Sequence, residues 1–532
     1  MSNKTDKSGK AKTKKHMKVS KKNKIIAAIV VILLALVCFC YFAHQAGLAA
    51  KILPGAKIVH VDKETGKEKT VKKVPIVEMN YFFSVTYNQY VMSGIITSDT
   101  NLDDVYNTNN GQTYREMLWE NAANTVQTQY LMAEAADDDE GFKSAASSEY
   151  AEMQVESMRS TVKQYNELYG SNMTMDQYLA RSYGKGMTVQ IFRKIMKRQA
   201  VIEEYRQYVQ QKTLVPTDEE IMAKYNESPS DYYTVQIQAY FVAADVSKDA
   251  TAEEKTKAME AASEKAHKIA DGCQNAVDFK IRVRANCDDS YRERMDKGED
   301  PTTVKDLSKT QLETYNKEFA ELCLNPETPE NTTSVFADSE NVGYYAVLFE
   351  KRELNEKAAA TFRVIELTDD VLKDISKSME DKAETHNKLI AKLEEYKGKI
   401  TSEADFIEMA KKYTQNSSDL LTGGYHSGIT EDNETYFPRT YMNEDDEEAV
   451  LADEDKQLMD WLYAPERKNG DMIIIKCVNS VKLFYFCDSV PAWKSSLRSS
   501  MTTEKYDTWY NGMVGDESYY TVINHGLIDF FT

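Results

Sequence analysis

The feature that most constrains this chain is one order of local signals that occurs twice. In the first occurrence YTVQIQAYFVAAD, from Tyr233, has the β-branched and aromatic run of a strand. A long charged helix follows over Ala252–Ala270, and NVGYYAVLFEKRE, from Asn341, closes as a strand. In the second, TFRVIELTDD from Thr361 is the strand and 371–397 a long helix. DFIEMAKKYTQNSSDLLTGGY, from Asp405, is then a short helix with Phe406, Met409, Ala410 and Tyr413 at i, i+3, i+4 and i+7, ending in a polar loop and the pair Gly423 and Gly424. EDKQLMDWLYAPERKNGDMIIIKCVNSVKLFYF, from Glu454, follows as a helix and two strands. Segments 215–354 and 361–488 therefore read as two diverged copies of one β-α-α-α-β-β unit, each on its own central sheet. Such a chain is α+β, and its 532 residues suffice for three or four domains.

Ahead of the repeat, KIVHVDKETGKEKTVKKV (57–74) reads as a hairpin around Glu64, Thr65, Gly66 and Lys67. Between Pro75 and Gln211 no proline occurs, and YREMLWENAANTVQTQYLMAEAA and VQIFRKIMKRQAVIEEYRQYVQQ keep apolar residues at helical spacing with charges opposite. Tyr81, Phe82, Phe83, Tyr87, Tyr90 and Met92 crowd the start of this region. They suit a core, or an adaptable apolar cradle for unfolded segments. In VPTDEEIMAKYNESPSDY, from Val215, Thr217 and Glu220 have capping-box spacing. PAWKSSLRSSMTTEKYDTWYNGM is one amphipathic helix, and YYTVINHGLIDFF a strand that packing against the first helical domain would bury.

Charge is unevenly placed. Residues 1–24 hold ten lysines against one acid, Asp6, for +9, which leaves −28 on the rest of a chain whose total is −19. An acidic body argues against nucleic acid as a partner, because phosphate binding needs a basic face. From 25 to 43 run 19 near-continuously apolar residues, the length that spans a hydrocarbon core. With the lysine tail ahead of it, this is a single-pass anchor over 25–46, tail in the cytoplasm and the bulk outside. A cleaved signal peptide fits less well, since the run exceeds the usual apolar region and Gly47, Leu48 and Ala49 make a poor cleavage site. Cys38 and Cys40 lack the small preceding residue of a lipoprotein site, and no CxxC pair or His/Cys metal spacing occurs among the other five cysteines. One bridge, Cys273 to Cys287, is the candidate pairing.

Four stretches carry a resemblance: VPTDEEIMAKYNESPSDY, DFIEMAKKYTQNSSDLLTGGY, WLYAPERKNGD and NVGYYAVLFEKRE. In this order they resemble the linker helix, the FxxLAxxYSxDxSxxxGGDLG stretch, the helix-turn and the closing strand of bacterial extracytoplasmic foldases of the SurA and PrsA type. Those proteins set parvulin-like prolyl isomerase modules into a helical chaperone domain. The resemblance, covering roughly residue 75 onward, implies a SurA N-terminal-like helical domain at 51–214. It implies parvulin-like modules at 215–357 and 358–489, and a C-terminal helix and strand at 490–532, the helix returning to the helical domain. It also implies unfolded or nascent secreted polypeptides as partners, with Tyr81, Phe82, Phe83, Tyr87, Tyr90 and Met92 as client-binding residues.

Prolyl isomerisation meets a barrier of about 18–20 kcal/mol, which the family lowers with histidines on the first and last strands and a Cys or Asp in the loop between. Here Tyr240 and Val364 stand on the first strands, Tyr345 and Leu483 on the last, and Asn416 at the loop position, with Tyr425 and His426 after the glycine pair. Of the seven histidines, His16, His44, His60, His267, His386, His426 and His525, only His426 is near a site loop. It reads as a solvated loop residue or as a displaced catalytic group. The expectation is a kept fold with the isomerase cluster lost, around a candidate pocket of Asn416, His426, Tyr425, Val364 and Leu483. The alternatives are an active isomerase with a rebuilt site, and a non-enzymatic envelope adaptor. No G-x-S-x-G elbow, G-x-x-x-x-G-K-[ST] phosphate loop, H-E-x-x-H motif or EF-hand loop occurs, so no hydrolase, nucleotide, metal or other cofactor is expected. The acidic run 444–448 reads as a solvated face.

Overall fold

The computed structural model describes residues 47–247, 250–440 and 450–531. The lysine tail, the apolar run 25–46 and the acidic run 444–448 lie outside them. Among the described residues no helix is long and apolar enough to cross a membrane. The fold is α+β, and contacts divide it into two compact units. Of the described residues, one unit comprises 47–141, Tyr150–Ile202 and 512–531; the other comprises Phe142–Glu149 and those described within Glu203–Asn511.

In the first unit, β1 (Pro54–Val61) and β2 (Glu68–Pro75) form an antiparallel hairpin. Its turn is held by Asp62, whose carboxylate accepts from the Thr65 amide at 2.7 Å and the Glu64 amide at 3.1 Å, while Gly66 takes φ +65°. The strand Tyr519–Ile523 pairs with the other side of β1, His60 opposite Tyr519 and Ala56 opposite Ile523. The chain then turns helical again over His525–Phe531, so YYTVINHGLIDFF is a strand followed by a helix. Ile76–Met92, Tyr114–Asp138 and neighbouring helices cover this sheet, and Ile58, Val74, Met79, Tyr81, Phe82, Trp119, Phe192 and Ile528 fill the core between. Thr113 and Glu116 close a capping box at the start of Tyr114–Asp138, satisfying amides that the helix cannot pair itself.

In the second unit, β3 (Tyr233–Ala243), β4 (Thr303–Leu307), β5 (Thr333–Ala337) and β6 (Gly343–Leu354) make an antiparallel sheet ordered β4-β3-β6-β5. β7 (Ala358–Thr368), β8 (Tyr425–Ile429), β9 (Met472–Lys476) and β10 (Ser480–Pro491) make another, ordered β8-β7-β10-β9. Both run second, first, fourth, third in chain order. On the second sheet Ile365, Leu367, Leu483 and Tyr485 pack with Leu393 and Phe406 on one face. Phe362, Val364, Phe484 and Phe486 pack with Phe437, Leu458 and Leu462 on the other. With both faces covered, the strands read as nearly unbroken apolar runs.

Three expectations need correction. Each sheet has four strands, one more than the expected β-α-α-α-β-β unit holds. The segment 371–397 is not one helix: Asp370–Lys373 stops, the Asp374 carboxylate accepts from the Ser376 amide at 2.8 Å, and Ser378 caps a new helix, Met379–Lys397. Asp and Ser side chains here compete with the helical ladder. Cys273 and Cys287 are free thiols, donating instead to the carbonyls of Asn275 at 3.4 Å and Arg284 at 3.6 Å.

Candidate functional site

The glycine pair is built around a buried arginine. Arg363, 3% exposed, donates Nε to Glu403 Oε1 at 2.8 Å and a terminal nitrogen to the carbonyls of Thr422 and Gly423 at 3.2 and 3.1 Å. Gly424 takes φ +73°, and its carbonyl accepts from the Val364 amide at 2.9 Å; a Cβ there would sit 2.2 Å from the Val364 oxygen. Only glycine allows this approach of loop to strand. One turn earlier Asn416 is the N-cap of Ser417–Thr422, its Oδ1 accepting from the amides of Ser418 at 3.0 Å and Asp419 at 3.2 Å. Asn416 Nδ2 also reaches Glu366 Oε2 at 3.5 Å. Its amide is thus committed to starting a helix.

Over the sheet lies a cleft of about 350 Å³, lined by Val364, Glu366, Asn416, Asp419, His426, Tyr436, Asp455, Leu458, Cys477, Lys482 and Phe484 among others. His426 Nε2 is 2.9 Å from Asp419 Oδ1, and Asp419 is buried. Against an ionised carboxylate, which only accepts, the imidazole donates from Nε2. The imidazole stacks on Phe362, centroids 5.3 Å apart and planes 13° apart, with Tyr436 edge-on at 5.5 Å. Burial pushes the Tyr436 hydroxyl well up, and Asp419, Asp455 and Glu366 push it further. Burial likewise raises Asp455, helped by Glu454, and the Cys477 thiol. A thiol so held is a poor nucleophile. Among the described residues no three His, Cys, Asp or Glu side chains are placed to hold a metal ion.

The cleft brings Val364, Asn416 and His426 together and leaves two expected residues out. Leu483 belongs to the opposite face, packed with Ile365 and Phe406; Phe484 is the residue directly opposite Val364. The same offset holds in the first sheet, where Ala346 faces Tyr240 and Tyr345 belongs to the other side. A register displaced by one residue turns every side chain to the other face. Tyr425 alternates with His426 along β8 and lies over the Arg363 guanidinium, 5.0 Å from it. Asp419, Glu366, Tyr436 and Phe484 went unread; only for Phe484 did the sequence hold a signal, its alternation with Leu483.

The expected cradle is not one surface. Tyr81 and Phe82 are core, Phe83 packs at a tilt on Trp119 with centroids 4.3 Å apart, and Tyr87 and Tyr90 pack by Ile96, Met117 and Leu118. Met92 alone stands open, 89% exposed. The aromatics fill the space between helix and sheet, because burying them gains more than leaving them in water. No family model matches the chain, and no curated protein matches it.

Proposed function

We propose that the chain is a membrane-anchored chaperone of the extracytoplasmic space, holding unfolded secreted or envelope polypeptides on parvulin-like modules that no longer isomerise proline. The observation that carries the reading is the cross-strand pair Val364 and Phe484 in the cleft. Both are apolar and sit where the resemblance assigns histidines to first and last strands. The shared strand order of the two sheets supports a duplicated module. Asn416, bound as a helix cap, cannot titrate. General acid–base help is typically worth a factor of about 100 or more, so a site without it retains little activity.

The test is a pair of assays on the full-length protein. Aggregation of a denatured test protein should fall without ATP, and isomerisation of a proline tetrapeptide should match the uncatalysed rate. Failure to suppress aggregation at several-fold molar excess points to a docking adaptor instead. His426 held by Asp419 supports a second reading, an isomerase rebuilt from other residues. That reading requires fast isomerisation that disappears in His426→Ala.

A further inference from the structure

The described chain enters the first unit at a fixed corner. Gly47 takes φ +63°, and a Cβ on it would sit 2.3 Å from the Gly186 nitrogen; one on Gly186 would sit 2.7 Å from the Gly47 oxygen. Two main chains this close require glycine on both sides. The helix Leu48–Ile52 follows at once, its Lys51 amide on the Gly47 carbonyl at 3.2 Å. Ala50 is buried in the core of this unit and Leu53 packs against that core, the Leu53 carbonyl accepting from the Ile76 amide at 3.0 Å. The helix therefore cannot swing away from the unit that carries it.

Its outward face is apolar. Leu48 and Ile52, at i and i+4, share one side of the helix and are exposed, Ile52 to 78%. Single exposed apolar side chains are ordinary on a protein surface, and this pair by itself marks nothing. Its place in the chain sets it apart. The apolar run ends at residue 43, and the four peptide links from there to Gly47 span at most about 14 Å. With that run across a bilayer, Gly47 lies in or beside the headgroup layer, which is about 5–8 Å deep on each side of the hydrocarbon. Leu48 and Ile52 are then at the depth where amphipathic surfaces trade water for lipid. Two lysines flank them: Lys51 on the same helix, and Lys185, next to the Gly186 on which Gly47 packs. Lys185 is exposed and Lys51 half-buried, and neither has an ion-pair partner among the described residues. Asp176, which lines a cleft with Lys51, is taken by the Val189 amide at 2.8 Å. Lysine stems lie along apolar surface and carry their ammonium groups to lipid phosphates.

We propose that the face formed by Leu48, Lys51, Ile52 and Lys185 docks on the surface of the phospholipid bilayer, holding the first unit against the membrane instead of letting it swing on a tether. The inference rests on the membrane-anchored reading above. It is tested on the full-length protein in vesicles of phosphatidylcholine and phosphatidylglycerol whose acyl chains carry bromine near the glycerol end, which quenches tryptophan only at close range. The emission that Ile52→Trp adds to the parent should be largely lost in brominated vesicles relative to plain ones. The emission that Met92→Trp adds should not change, since Met92 ends the helix that begins at Ile76 and lies about 24 Å along it from the corner. Lys51→Glu/Lys185→Glu, added to Ile52→Trp, should restore much of the lost emission. Retention on the vesicles after an alkaline carbonate wash reports the anchor separately. In a protein that survives the wash, quenching at 52 no stronger than at 92, or untouched by the charge reversal, overturns the docking and leaves the anchor standing. A protein that washes off overturns the anchor, and the docking with it.

Discussion

Lys411 Nζ lies 3.0 Å from Glu204 Oε2, an ion pair in which the glutamate side chain has no solvent exposure. Glu204 also accepts from the Ser144 hydroxyl at 2.6 Å and from the amides of Ala145 and Ala146 at 2.9 and 3.1 Å. It therefore ties the residues just ahead of Ser147–Tyr169 to the helix Glu403–Tyr413. A buried carboxylate is tolerable only while every such partner is present.

The first prediction follows from that pair. Lys411→Met keeps the apolar stem but leaves the Glu204 charge uncompensated, and should cost about 3 kcal/mol. Lys411→Met with Glu204→Gln should recover a large part of it, since the amide still accepts from Ser144. Thermal melting of the two variants and the parent checks the order; equal melting of all three would refute the role of the pair.

A second prediction separates two glycines with similar backbone angles. Gly424→Ala places Cβ 2.2 Å from a main-chain oxygen at φ +73°, and should cost well over about 2 kcal/mol because neither strand nor loop can yield. Gly66→Ala, at φ +65° with nothing within 4 Å, should cost only about 1 kcal/mol. Comparable losses of melting temperature in the two would show that the loop, contrary to this account, can move away from Val364.

The third concerns pH. The Ser518 amide and the Lys63 ammonium hold Asp516 down to about 2 from its ordinary 3.8, and Lys63 Nζ is 2.9 Å away. A carboxylate whose pKa falls on folding stabilises the fold above its unfolded value and stops doing so as pH drops through the folded one. Between about pH 4 and pH 2, the strand Tyr519–Ile523 should exchange its amide hydrogens faster against β1, beyond the intrinsic pH dependence of exchange. Asp516→Asn should remove that added dependence while leaving the strand paired at neutral pH.

What could be read in the sequence was whatever local chemistry decides. TFRVIEL and GYYAVLFEK are strands because unbroken β-branched and aromatic runs suit a sheet covered on both faces. Thr217 caps its helix with Glu220 as the spacing implied. Whatever depends on a distant partner was not legible. Nothing in YYTVI names β1, more than four hundred residues earlier, as its neighbour. Arg363 looks like an exposed strand residue until Glu403 and the loop carbonyls close around it. The choice of Phe484 over Leu483 turned on a single residue of register, which only the pairing with β7 decides.

The last prediction asks what Asn416 is for. Its side chain satisfies two amides at the start of Ser417–Thr422, and a lost N-cap of this kind costs about 1 kcal/mol. Asn416→Ala should therefore lower the melting temperature slightly; Asn416→Ser, which also caps, should restore it, and Asn416→Asp should restore less because its carboxylate meets that of Glu366. Aggregation suppression should be the same in all of them, because the cap serves the loop and not a client. A polar group acting on a prolyl bond would behave otherwise: the alanine variant would lose isomerisation out of proportion to stability, and serine would not rescue it. Melting and tetrapeptide isomerisation measured on the same four proteins thus distinguish a structural cap from a reacting group.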